Sequence, residues 1–562
     1  MGQEISFFLS FFLSYALSLK RLLNLVERFH RDPKLYSEYN AVMSEQLENG
    51  VLEPVVEDIP EVGNTYYMPH HCVKRKDKST TRLRVVYDGS SSACGPSLNQ
   101  MLYEGPSLMP QLVKVLMKFR CRKIGVTGDI EKAFLNVEIA EADRNFLRVL
   151  WLKDFDPYQE IASRDSLKIK ILRFARCDFG VKSSPFHSQA TVRYHTDKYR
   201  DKFEKIVDEI QNSTYVDDLL TGEDTVKETY ELISTSRGIL RDGGLNLRKF
   251  STNSAELRKI MEAEGLPLEP ESGSSVELDE GDESTFADKT QVSFESVKFP
   301  EERKVVGVIW NTERDTFVFR FDALLEAASK IPRTKRGLLQ LFPRLYDLPG
   351  VVSPIVVPLK VLFSRLCKLQ VSWDEPPTIG HTNIIENWLK DLAETESIEF
   401  PRYVLSVPIT SIRSLQLIAF GDASKVAFGG VVYARVVSDE GIDVNLVTSK
   451  SRVAPAKEQT LPRLELLGDR VAAQTIDLVR SVMEPIVPIE NEYYFSDSKT
   501  ALCWIRNKHQ QFKQFVDERA RHIRELTDES RWMHVKGEEN PADLTTRGVL
   551  ASENGEWVES KG

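Results

Sequence analysis

Seven carboxylates stand out because each lies where an apolar segment ends. KIGVTGDIEKAF reads as a strand that delivers Asp129 at its end, with Phe134 five residues later where a helical turn begins. TYVDDLL places two adjacent acids, Asp217 and Asp218, between Tyr215–Val216 and Leu219–Leu220. Like charges that close raise each other's pKa unless a cation neutralises them. Magnesium is the obvious cation, since it takes hard oxygen ligands and bridges substrate phosphates. Asp-Asp is also common in hairpin turns, and the dipeptide alone reads as one. A second set lies toward the C-terminus. LIAFGDAS ends a strand in Asp422, and Glu465 sits in LPRLELLGDRVAAQ, on a helix with Leu464, Leu467 and Val471 on its apolar side. YYFSDSKTAL brings Asp497 to another strand end, and ENPADLTTRG puts Asp543 in the first turn of a final helix. Each acid alone reads as a solvated surface residue. Four arriving from strand, helix, strand and helix are what two magnesium ions need when no single segment can surround them.

The elements that must position these acids follow from periodicity and punctuation. Residues 18–49 have helical apolar spacing and end at Gly50, a helix stop. Short strands follow, up to RLRVVYD (Arg82–Asp88), and residues 107–250 alternate helical and strand patterns. Residues 261–288 hold ten acids and no Lys or Arg, with Gly, Pro and Ser among them, which predicts a disordered or solvated insertion. Strands resume at KVVGVIW (Lys304–Trp310), residues 322–370 read as mostly helical, and strands and helices alternate again from Leu415 to Gly548. The run Ile5–Leu19 is uncharged but shorter than the roughly 18–20 residues a membrane span needs. Met-Gly-Gln-Glu-Ile-Ser fits the loose myristoylation pattern with Gly2 and Ser6, and no membrane partner is assigned on it.

Taken in order, the motifs resemble a reverse transcriptase. Strand-Asp-x-x-x-x-aromatic, then aromatic-x-Asp-Asp about ninety residues on, is similar to the family's palm. FGVKSSPFHSQ (Phe179–Gln189) resembles its template-and-nucleotide grip, carried by Gly180, Ser184 and Pro185. RLRVVYDGSSSACGPSLNQML resembles the fingers, with Arg84 at the phosphate-contacting position and Arg75 or Lys76 of the KRKDK run (Lys74–Lys78) adding charge. GGLNLRKF places Lys249 where the family has a lysine near the leaving pyrophosphate, and KVVGVIW resembles the primer grip, with Val308 and Trp310. G-D-A-S, L-P-R-L-E-L, F-S-D-S and N-P-A-D together resemble retroelement ribonuclease H, where His534 in HVKGEEN matches the mobile histidine loop. With VVYD-x-S and LYDLPGVVSPIVVPLK (Leu345–Lys360), the set is most similar to the BEL/Pao group of LTR retrotransposons, over about residues 20–548. One departure is Phe179, where retroviral enzymes often carry Gln.

The resemblance implies an α+β multidomain fold: a right-hand polymerase of fingers, palm and thumb, then a helical connection and an α/β ribonuclease H-like domain. It divides the chain into an apolar N-terminal segment (1–19), fingers (20–106), palm (107–260), the acidic insertion (261–288), primer-grip strands (289–321), thumb and connection helices (322–407), the nuclease-like domain (408–548) and a tail (549–562). It further implies RNA-directed DNA polymerase and ribonuclease H activities, acting on an RNA template, a DNA primer, the RNA–DNA hybrid and dNTPs. Two magnesium ions per site, with manganese as the alternative, would be held by Asp129, the Ile130 carbonyl and Asp217, and by Asp422, Glu465, Asp497 and Asp543. Asp218 would support the first set, and Phe134 would exclude a 2′-hydroxyl. The implied setting is cytoplasmic, in retroelement particles, beside other polyprotein products. A truncated or host-adopted remnant that binds nucleic acid without catalysis is the alternative; seven intact carboxylates speak against it.

Composition first argues the other way. With 84 acidic and 74 basic side chains the chain has a formal charge of −10, whereas phosphate binding wants a basic field. Residues 261–288 account for the whole excess, so the remainder is balanced, with basic clusters such as KRKDK and LNLRK expected to make local phosphate contacts. The 6 cysteines form no C-x-x-C pair, which excludes a zinc ribbon and fits a reducing compartment.

Overall fold

The computed structural model describes residues 2–55, 65–74, 83–92, 95–159, 167–269 and 299–553. The helical spacing near the N-terminus resolves into two helices. Helix Gly2–Arg31 stops where Asp32 caps helix Pro33–Glu48: the Asp32 carboxylate accepts from the Leu35 N–H at 3.1 Å, and Pro33, with no N–H to donate, opens the second helix. Leu22, Leu25, Val26 and Phe29 are buried, and Ser18 Oγ donates to the Tyr67 carbonyl at 2.9 Å. The later half of the first helix therefore belongs to a folded core. No described helix is long and apolar enough to cross a membrane.

Strands β1 (Leu52–Pro54), β2 (His70–Lys74) and β3 (Leu83–Tyr87) precede β4 (Ile124–Ile130), β5 (Arg148–Leu152) and β6 (Ile169–Phe174). β1, β6 and β5 make one antiparallel sheet in that order, and β2 pairs with β3. β4 joins β7 (Thr214–Tyr215), β8 (Asp218–Glu223) and β9 (Leu247–Thr252) in a sheet ordered β7-β8-β4-β9. Ile124, Val126 and Ile130 of β4 pack with Val192, Ile210, Ile233 and Leu240 from the helices Ser184–Asp197, Arg200–Ser213 and Val226–Asp242. The acidic segment expected to be disordered begins as ordered chain. Met261 is fully buried in helix Ala255–Ala263, the Phe250 N–H donates to the Pro267 carbonyl, and Glu269 pairs with Arg303 at 3.4 Å. Met261 and Leu266 give this stretch an apolar anchor that the charge count conceals; residues 270–288 lie outside the described chain.

β10 (Glu302–Val305), β11 (Val308–Asn311) and β12 (Thr316–Arg320) form a meander, and β13 (Ser397–Pro401) completes that sheet beside β12. The span 322–407, assigned to thumb and connection helices, thus also supplies a strand, because Ile398 and Phe400 alternate inward at a two-residue period. Its helices are Asp322–Lys330, Lys335–Leu341, Ser353–Lys368 and Ile379–Thr395. The last sheet comprises β14 (Ile412–Ala423), β15 (Ala427–Ser438), β16 (Ile442–Val453), β17 (Asn491–Ser496) and β18 (Trp532–His534), ordered β16-β15-β14-β17-β18. β14 runs antiparallel to β15 and parallel to β17, with helix Leu461–Met483 packed across them. Residues 549–553 are not a loose tail: the Asp391 carboxylate accepts from the Ala551 and Ser552 N–H groups.

Two buried arginines bind these units together. Arg402 clasps Asp315 and donates to the carbonyls of Phe119, Arg122 and Lys123. Arg120, on helix Leu112–Arg120, reaches the Leu446 and Val447 carbonyls of β16. The β4 region and the last sheet are therefore joined through main-chain acceptors.

Candidate active sites

The β7–β8 hairpin turns at Val216–Asp217, and this turn builds the first site. Val216 adopts φ 60°, a costly conformation for a β-branched residue but one a two-residue hairpin demands. Two contacts hold it: the Ile130 N–H donates to the Asp217 carbonyl at 2.8 Å, and the buried Gln189 donates Nε2–H to the Val216 carbonyl at 3.1 Å. The register then sets Asp218 directly opposite Asp129. Asp129 and Asp217 are buried, and Asp218 is half-buried.

Arg248 of β9 lies opposite Asp129, with its Nε 3.9 Å from the Asp129 carboxylate and Nη1 3.3 Å from that of Glu131. Sequence reasoning singled out its neighbour, Lys249. That lysine, at φ 56°, sits where the β4–β9 register slips, so the bulge rather than the motif decides which cation faces Asp129. Phe134 is 1% exposed, and its ring packs against Phe179 with centroids 4.7 Å apart.

Gly180, Ser184 and Pro185 all serve the loop that joins these pieces. A Cβ on Gly180 would lie 2.2 Å from the Tyr87 carbonyl oxygen. Ser184 spends its hydroxyl on the Asp178 carbonyl, and Pro185 opens helix Ser184–Asp197. Arg84 lies half-buried on β3, paired with Val73. Arg75 and Lys76 lie outside the described residues. The primer-grip expectation is corrected for two side chains. Val308 and Trp310 are core residues, Trp310 fully buried against Phe119 with its indole N–H on Asp315.

The second site is tighter. Asp422 ends β14, Glu465 lies in the second turn of helix Leu461–Met483, and Asp497 follows β17; one carboxylate oxygen from each lies within 4.8 Å of the other two. Among the described residues this is the one His, Cys, Asp or Glu group that close; the palm acids do not form such a cluster. Glu465 Oε2 and Asp497 Oδ1 are buried without hydrogen-bond partners, as expected of groups awaiting a cation. An oxygen-only donor set suits magnesium or manganese. Asp422 Oδ2 accepts from the Thr546 hydroxyl. Asp543 stands outside the trio in the 3-10 turn Pro541–Asp543, 2.7 Å from Arg547. His534 is exposed at the end of β18, paired in register with Ser496. Beside it an open pocket is lined by Lys499, Arg506, Lys508 and His509.

Burial dominates the electrostatics. It pushes Asp422 up to about 6, with the charges of Asp497 and Asp543 adding to it, and Glu465 up to about 9, with Asp497 and Asp422 adding to it. Asp497 and Asp543 are raised too, again first by burial. Sequence reasoning missed Asp469, a fully buried acid one helical turn beyond Glu465 and raised far above its ordinary range by burial. Its only sequence signal was an acid at i+4 on the apolar face.

Because the folded values of Asp422 and Glu465 exceed the ordinary 3.8 and 4.5, the stability these groups lend the metal-free protein is present at low pH. It is lost as pH rises through about 6 and then about 9. Metal competes with those protons. Any rise in Tm on adding a divalent cation that this cluster holds should therefore grow from pH 6 to 9, measured by thermal melts with and without the ion. A pH-independent rise would remove this assignment.

Fold and sites together define a multidomain chain of the reverse-transcriptase fold with a C-terminal ribonuclease H-like domain. Residues 334–498 match the model of the Pao retrotransposon-like RNaseH-like domain, which takes in Asp422, Glu465 and Asp497. The chain thus carries a segment similar to the Pao retrotransposon domain within an overall fold similar to that of a reverse transcriptase. It resembles the foamy viral protease-reverse transcriptase in complex with RNA/DNA hybrid, at 16% identity and TM-score 0.50 over 91% of this chain and 54% of that one. It also resembles the same viral protein in two complexes with double-stranded DNA. The form designated dRH matches at 16% identity and TM-score 0.50, over 89% of this chain and 69% of that one. The other matches at 16% and 0.51, over 89% and 82%. The chain spans about half the length of the first. No curated protein matches it.

Proposed function

We propose that the chain is an RNA-directed DNA polymerase that also degrades the RNA of the resulting hybrid. The observation that carries the reading is the convergence of Asp422, Glu465 and Asp497, with buried oxygens left for a cation. Support for the polymerase comes from the hairpin that sets Asp218 opposite Asp129 beside Asp217. Asp129 and Asp217 would hold magnesium in one site, with the Ile130 carbonyl as a further ligand and Asp218 in support. Asp422, Glu465, Asp497 and Asp543 would do so in the other. When bound, the ions would lower the pKa of the attacking hydroxyl or water and neutralise charge on the phosphate. Arg248 and Lys249 would meet the triphosphate, as would Arg84 with Arg75 or Lys76. The pocket beside His534 would take backbone phosphates of the hybrid, whose RNA strand would be recognised by its shape and 2′-hydroxyls. The solved structures' RNA/DNA hybrid and double-stranded DNA are the substrate types this reading extends to the chain.

The test is primer extension on an RNA template with dNTPs and magnesium, run beside cleavage of a labelled RNA–DNA hybrid. Both activities are expected; a chain that binds hybrid but does neither would be a non-catalytic remnant.

Phe134 would close the floor under the deoxyribose, with Phe179 behind it. Phe134→Val should lower discrimination between dNTPs and rNTPs by about tenfold or more, roughly 1.4 kcal/mol per decade. Single-nucleotide incorporation kinetics measure this, and unchanged discrimination would return Phe134 to a purely packing role.

A further inference from the structure

Asp469 is a buried acid with no role in the chemistry outlined above, and its surroundings are specific. Gly421, immediately before Asp422, and Ser496, immediately before Asp497, are register partners at the ends of the parallel strands β14 and β17. Asp469 sits on that junction. Ser496 Oγ donates to its Oδ2 at 3.2 Å, and a Cβ on Gly421 would lie 2.5 Å from its Oδ1 and 2.8 Å from its Cα. The neighbouring Gly468 is pressed as closely, since a Cβ there would lie 2.3 Å from the Asp422 carbonyl oxygen. Glu465 is four residues earlier on the same helix, hence on the same face. One side chain thus touches the residue preceding each of two carboxylates and shares a helical face with the third.

The fit is costly. Asp469 is fully buried and its Oδ1 has no hydrogen-bond partner. An unpartnered buried polar oxygen is destabilising, and an apolar side chain of similar size would avoid that. Locally unfavourable choices of this kind belong where function outweighs stability.

We propose that Asp469 is a positioning residue of the nuclease site, fixing the ends of β14 and β17 against the helix so that Asp422, Glu465 and Asp497 converge on one cation. The inference rests on the nuclease reading. Groups that orient metal ligands from behind typically contribute 10–100-fold in metal affinity or activity.

The test compares the full chain with Asp469→Asn, Asp469→Ala and Asp469→Leu in three measurements: manganese binding by calorimetry, hybrid cleavage as a function of magnesium, and Tm without metal. Asn keeps the shape and an acceptor for Ser496. It is expected to stay within about threefold of the parent in binding and cleavage. Ala and Leu are expected to weaken manganese binding and lower kcat by about 10–100-fold, while Leu leaves Tm unchanged or raised. The proposal is overturned if Ala and Leu bind manganese and cleave like the parent. It is equally overturned if their losses track a fall in Tm, or if Asn fails to rescue. A parent chain that binds manganese but does not cleave would sink the nuclease reading alone, and calorimetry would still decide the role of Asp469.

Discussion

Asp497→Asn is expected to abolish hybrid cleavage while leaving primer extension intact, and Asp217→Asn to do the reverse. The two carboxylates lie in different sheets, Asp497 after β17 and Asp217 between β7 and β8, and no described ligand is shared between the sites. Asn keeps the volume and one oxygen of Asp but removes the charge. In the nuclease trio that charge matters because Asp497 Oδ1 is buried without a hydrogen-bond partner and lies within 4.8 Å of an oxygen of Asp422 and of Glu465, where a cation would sit. Losing it should cost several kcal/mol of transition-state stabilisation, about a thousandfold in rate. Asp217 sits beside Asp218, and its carbonyl already accepts the Ile130 N–H, so Asn at 217 preserves the turn while changing the charge. Gel assays of extension and of hybrid cleavage on the same three preparations measure both effects. Joint loss of the activities in either variant would mean that the two sets of acids do not form independent sites.

Much of this arrangement was legible in the sequence because it is local. A strand ending in an acid, or an acid beside the apolar positions of a helix, leaves a pattern within about ten residues; that pattern, with the order of the motifs and their resemblance to a known family, singled out Asp129, Asp422, Glu465 and Asp497. What escaped detection depends on contacts distant along the chain. Gln189 steadies the 216–217 turn from 27 residues away. Arg248 displaces Lys249 beside Asp129 because of a register slip that no propensity encodes. Asp469 is legible only once Gly421 and Ser496 are known to meet above it. The converse error also has a physical origin: Val308 and Trp310 were assigned to nucleic acid by motif, but a side chain as large as Trp310 is worth more in the core. The acidic stretch misled in the same way, since charge density hid the apolar anchors Met261 and Leu266.

Arg402 carries the largest expected effect on stability. It is fully buried, and its guanidinium spans Asp315 through Nε at 2.6 Å and Nη2 at 2.8 Å. Nη1 reaches the Phe119 and Arg122 carbonyls at 2.5 and 2.8 Å, and Nη2 reaches that of Lys123 at 2.8 Å. The plane also lies over the Phe119 and Trp310 rings, 4.9 and 5.8 Å from their centroids. No other residue type offers five donors in one plane. Arg402→Met would keep the bulk but strand the Asp315 carboxylate with only the Trp310 indole, and leave three carbonyls without this donor. Removing one partner of a buried pair costs about 3–5 kcal/mol. Arg402→Lys should recover only part of this, because a point charge cannot serve all four acceptors. Arg413→Ala, which breaks an exposed pair with Asp439, should change little. Urea unfolding followed by tryptophan fluorescence measures the difference. Since Arg402 joins β13 and β11 to the chain just before β4, its loss should also loosen primer extension. A midpoint for Arg402→Met equal to that of Arg413→Ala would show that the buried clasp contributes no net stability.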